Sequence, residues 1–156
     1  MKKPQDLDTV IEVYTRKRDD MLQSLGHAQR EFQQAQQQMD QLQSYAAESQ
    51  QRWLQRATGG VSPTLILTQR QFMAKLDHAI TFQNGVMQRL QLSIDNCQQL
   101  LLQAERELAG INKYIERRTQ QWQHQLQRQE QRHNDEMAAN LHRLTAHTSA
   151  PWRHST

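Results

Sequence analysis

A chain of 156 residues with 36% hydrophobic and 6% aromatic content has the length of one domain but little of the material of a compact core, which weighs against a globular enzyme. The formal charge of +3, from 19 Lys and Arg against 16 Asp and Glu, makes no strong field of one sign, so no nucleic-acid partner is expected. Only 5 Gly and 3 Pro stand against abundant Gln, Arg, Glu, Leu and Ala, a balance that favours long helices over disorder. The opening MKKPQDLD has two lysines but no apolar stretch behind them. No apolar run of about 18 residues follows, so neither a signal peptide nor a membrane span is expected, and the expected location is the cytoplasm.

The first predicted element is a helix over about residues 5–57. Steps of four and three from Leu7 reach Ile11, Tyr14, Arg18, Met21, Leu25, Ala28, Phe32, Ala35, Met39, Leu42, Ala46, Ser49 and Trp53, and only Arg18 and Ser49 interrupt the apolar series. A heptad series sustained for so long marks a helix packed lengthwise against another helix. It stops at Thr58-Gly59-Gly60, where glycine can take the left-handed conformation that ends a helix. Ser62-Pro63 then reads as an N-cap followed by proline at the first helical position, so a turn is expected at 58–63.

The second predicted helix covers about residues 64–146. The same stepping gives Phe72, Leu76, Ala79, Gln83, Val86, Leu90, Ile94, Cys97, Leu101, Ala104, Leu108, Ile111, Ile115, Arg118 and Trp122, with a stutter from Val86 through Leu90 to Ile94. Gly85 and Gly110 each cost about 1 kcal/mol relative to Ala and do not break so long a helix. Facing Leu7 with Ile115, Tyr14 with Leu108, Leu25 with Cys97, Phe32 with Leu90 and Ala46 with Leu76 gives every pair the same midpoint, at the Gly-Gly break. A parallel dimer of two broken coils would also bury both series, but a short turn favours the intramolecular hairpin. The expected fold is therefore all-α: a long two-stranded antiparallel coiled-coil hairpin over residues 1–148, with a C-terminal helical overhang.

The arms differ in length, roughly 75 Å and 120 Å at about 1.5 Å per residue. Beyond about residue 118 the second helix has no expected partner within the chain, and its pattern thins to Trp122, Leu126, Met137, Leu141 and Leu144. Such a helix is marginal unless something binds it. Residues 149–156 are expected to be a disordered tail.

Motifs for chemistry are absent or weak. Gly59-Gly60 lacks the Lys and Ser or Thr of a phosphate-binding loop. His124, His133, His142 and His147 are not spaced to stack ligands on one helical face, so solvated or partner-facing histidines are the better reading than a metal site. Cys97 has no disulfide partner, and His78 would lie roughly 28 Å from it along one helix, too far for a nucleophile and its base. No cofactor, metal or small-molecule substrate is expected. The Gln runs carry interleaved heptad hydrophobes and read as solvated helix faces. Arg16, Arg18, Arg117, Arg118, Arg128 and Arg132 gather where the termini of a hairpin would meet, either as a solvated face or as a contact surface for an acidic partner.

A lopsided hairpin of this size, with QRQFMAKLDHAI just after the turn, resembles the flagellar export protein FliJ family over most of its length. Gln38, Leu42 and Tyr45 before the turn and Phe72, Leu76 and Ala79 after it match a surface cluster of that family. Ser49 stands where an aromatic is expected and Gln83 where a histidine is expected, so Gln83 marks the edge of the cluster.

The resemblance implies a non-enzymatic component of the flagellar type III export apparatus, involved in flagellar biogenesis and motility. It implies a stalk like that of rotary ATPases, with the coiled coil of the terminal segments in the pore of the export ATPase ring, which it activates. It further implies contacts with the export gate membrane protein FlhA and with export chaperones, at the cytoplasmic face of the gate. The residues alone reach a linker or stalk; an injectisome stalk protein and a nucleic-acid-binding coiled coil remain open alternatives. In the cluster, Phe72, Leu76 and Ala79 fall on seam positions. Two readings stand for them: they pack against Ser49, Ala46 and Leu42 as ordinary seam residues, or, because facing Ser49 and Ala46 are small, Phe72 and Leu76 stay partly open for a partner, with Tyr45 flanking the seam.

Overall fold

The computed structural model of the chain describes residues 7–148, so the expected tail at 149–156 lies outside the described residues. Two helices account for nearly all of them: α1 over Leu7–Ala57 and α2 over Pro63–Thr148. Among the described residues there is no strand. Asp8 in the first turn of α1 and Arg56 in its last turn each oppose the helix dipole favourably.

The chain reverses over residues 58–62, and local chemistry dictates how. The Thr58 hydroxyl donates to the carbonyl of Gln55 at 2.7 Å, and the backbone N–H groups of Gly59 and Gly60 donate to Arg56 and Ala57 at 3.3 Å each. These bonds occupy carbonyls that the end of α1 would otherwise leave without partners. Gly60 sits at φ +86°, a conformation that a Cβ would strain. Ser62 then caps α2: its Oγ accepts from the Leu65 N–H at 3.3 Å while its carbonyl accepts from Ile66 at 3.2 Å. Pro63 follows as the first helical residue, where its missing N–H costs nothing.

The molecule divides into two compact units, Tyr14–Leu108 and Met1–Val13 with Ala109–Thr156, and each helix runs through the boundary without a break. Within Tyr14–Leu108 the two helices pack against each other. Lys17 Nζ meets Glu107 Oε2 at 3.0 Å, Gln83 reaches the Ala35 carbonyl at 2.9 Å, and the Tyr45 and Phe72 rings lie 5.9 Å apart. As residue numbers rise on one helix their partners' numbers fall on the other. The core is a thin line of Ala28, Ala35 and Met39 from α1 with Leu76, Ile94 and Ala104 from α2, together with the polar Gln83. All of these lie on the four-and-three stepping. Alanines at such positions let helix axes approach closely, since interaxial distance follows the size of the contacting side chains.

In the other unit Leu7, Val10 and Ile11 of α1 and Ile111, Ile115, Thr119 and Trp122 of α2 are partly covered. Here the stepping needs correction. Arg118, expected on the seam, is exposed, and Thr119 takes the partly covered place. The Arg118 guanidinium instead lies 5.8 Å from the centre of the Tyr114 ring. A cation keeps its hydration there and gains the face of the ring, which a place on the seam would deny it. From residue 123 to residue 148 every side chain is exposed. Among the described residues no helix is long and apolar enough to cross a membrane.

Candidate functional site

The cluster around Leu42 and Phe72 lies wholly within the Tyr14–Leu108 unit. On α1, Gln38 is exposed, Leu42 half-buried, and Tyr45 47% exposed. On α2, Phe72 and Ala79 are half-buried, while Leu76 and Gln83 are buried. Tyr45 presents its ring to Phe72 edge-on, at 82° between planes, the arrangement that aromatic quadrupoles prefer. Tyr45 therefore flanks the seam, held in place by Phe72 and open to solvent on its other side.

Of the two readings of Leu76, packing in the seam is the one the structure has: it is 8% exposed and belongs to the core. The seam is closed at the level of Leu76, where the facing residue by the stepping is the small, half-buried Ala46, whereas Ser49 and Phe72 border a cavity of about 210 Å³. Gln83 is more than an edge residue. It is 9% exposed, and its amide nitrogen donates to the Ala35 carbonyl at 2.9 Å and to Gln38 Oε1 at 3.3 Å. A buried amide with both bonds made is satisfied, and it engages the Gln38 oxygen.

Together Gln38, Gln41, Leu42, Tyr45 and Gln83 line a cleft of about 570 Å³. Gln41 was not singled out by sequence, because one Gln among so many carries no distinguishing signal. The cleft offers an apolar wall from Leu42 and the Tyr45 ring, with amide groups at its rim. Such a surface can hold an apolar side chain while hydrogen-bonding the backbone that carries it. Its lining residues include no Ser, Cys, His, carboxylate, Lys or Arg.

The arginines expected at the open end are distributed over both units. Arg16 and Arg18 belong to Tyr14–Leu108, Arg117 and Arg118 to the unit that holds Ala109–Thr156. Arg16 and Arg117 are exposed. Arg18 Nε binds Asp19 Oδ1 at 2.9 Å, so part of its charge is already answered. Among the described residues no three His, Cys, Asp or Glu side chains come together in a way that could hold a metal ion.

The model of the flagellar FliJ protein family matches residues 2–146 of the chain. The chain belongs to the FliJ family. FliJ-family membership makes it a component of the flagellar type III protein export apparatus, with a part in protein transport. The match takes in both the Leu42–Tyr45 cleft and nearly all of the exposed stretch of α2. No curated protein sequence and no solved structure matches the chain.

Proposed function

We propose that this FliJ-family chain is a stalk: it promotes the export ATPase ring and links that ring, and export chaperones, to the gate protein FlhA at the cytoplasmic face of the membrane. In this reading the two helices form an antiparallel coiled coil. The observation that supports it best is the stretch from residue 123 to residue 148, helical yet exposed throughout. Leu126, Met137, Leu141 and Leu144 stand 37%, 51%, 60% and 63% exposed along it. A lone helix of this length gains little stability in water, and most helical stability in proteins comes from packing an apolar face. A surrounding ring of subunits supplies that packing. Arg117 and Arg118, and in the other unit Arg16 and Arg18, are proposed as the contacts to acidic groups of the ring. The cleft of Gln38, Leu42, Tyr45 and Gln83, with Phe72 and Ala79 beside it, is proposed as the gate contact, and Leu76 as the residue beneath that supports it.

The test is a chain truncated after Gln123, assayed for stimulation of the export ATPase. Stimulation is expected to vanish while melting temperature stays within a few degrees of the full chain, because nothing buried has been removed. Full stimulation by the truncated chain would overturn the ring contact.

A further inference from the structure

We propose that the turn end of the Tyr14–Leu108 unit carries a second docking surface, centred on Trp53, for an acidic amphipathic helix of another protein. Two cavities flank this half-buried indole and share both it and Gln69. The larger, about 570 Å³, is walled by Val61, Ile66 and Met73; the smaller, about 210 Å³, sets Arg52 and Arg56 beside Phe72. Ile66 remains 38% exposed at the edge. An aromatic anchor between an apolar trough and a cationic notch suits a helix that buries one stripe of side chains and carries carboxylates beside it.

Charge decides the partner's sign. Between Glu48 and Asp77 the chain has Arg52, Arg56, Arg70 and Lys75 and no acidic residue at all. Arg52 leans 3.5 Å toward Glu48, whereas Arg56, Arg70 and Lys75 meet no carboxylate among the described residues. Asp77, at the border of the larger cavity, is the one acidic residue that lines either cavity. A second copy of this chain, formally +3, would bring more positive charge to a positive surface. A lipid surface would meet the cations but leave the troughs beside Trp53 unfilled, since concave sites select side chains of matching shape. The surface adjoins the Leu42–Tyr45 cleft and meets the proposed gate contact at Phe72, but the cavities beside Trp53 and the charges around them are arguments that use neither the ATPase nor the gate reading.

The probe is a synthetic helical peptide with leucines at i, i+4 and i+7 and glutamates on both flanks, compared with a twin in which every Glu is Lys. Binding is read from Trp53 fluorescence in the full chain carrying Trp122→Phe and Trp152→Phe. The acidic peptide should bind at least about tenfold tighter than its basic twin, and Arg56→Glu with Arg70→Glu should remove at least about tenfold of that affinity. Both arginines are exposed, so helicity by circular dichroism should not change. Equal binding of the twins, or full binding by the charge-reversed chain, would overturn the proposal. So would a Trp53 response to anionic vesicles without one to the peptide, or a response that follows the chain's own concentration alone.

Discussion

Leu76 and Leu144 lie on the same helix and differ about as much as two leucines can: one is 8% exposed, the other 63%. Neither local sequence nor helix propensity separates them. The difference is the presence of α1 beside Leu76 and its absence beside Leu144. Every buried side chain falls between Ala28 and Ala104, in Tyr14–Leu108, and none in the described part of the other unit. The apolar stepping thus has two uses in one chain. Where a second helix faces it, it makes core; where none does, it stays available to a partner.

The sharpest way to break this contrast is by truncating side chains on both sides of it. Leu76→Ala should cost about 2–5 kcal/mol, seen as a large fall in denaturant midpoint. Leu144→Ala should move the same midpoint by no more than about 0.5 kcal/mol. Similar losses at both positions would mean that the exposed stretch is packed against something in solution. Gln83→Ala should cost about 1–3 kcal/mol, because the change deletes two hydrogen bonds and opens a gap, whereas Gln83→Leu should cost less. At the turn, Gly60→Ala should cost about 1–2 kcal/mol for its left-handed backbone and Ser62→Ala about 1 kcal/mol for the lost cap. Smallest of all, Lys17→Ala should cost under about 1 kcal/mol, and this cost should shrink with added salt, since the Lys17–Glu107 pair is half exposed.

The core was legible in advance because a heptad pattern constrains many positions with one rule. Ala28, Ala35, Met39, Ile94 and Ala104 fall where steps of four and three place them, and two long packed helices follow from that alone. The rule fades where long charged side chains compete for a seam position, as Arg118 shows by yielding it to Thr119. It is silent on depth: the stepping left Leu76 either packed in the seam or partly open beside small residues, and the closeness of the two helices decided for packing. Gln83 was readable as a seam position but not as a hydrogen-bonded core residue. Which amide in a Gln-rich chain reaches Ala35 depends on the packed geometry, not on the residue type. The surface at Trp53 left one trace in the sequence, the acid-free interval between Glu48 and Asp77, whose meaning depends on the grooves that flank the indole.

The tight reversal at residues 58–62 also bears on the order in which the molecule assembles during synthesis. All of α1 is synthesised before any residue of α2 that will cover it. The pairs nearest the reversal, around Trp53 and Gln69, close the shortest loop and so carry the smallest entropic penalty. Each new turn of α2 then finds its place on a helix already beside it, so closure travels away from Gly60 as translation proceeds. During that interval the seam of α1 is bare, but its apolar residues come in runs of at most three, as at Tyr45-Ala46-Ala47, among glutamines and charges. A nascent helix of this kind can wait in water without offering the long sticky stretch on which unfinished chains aggregate.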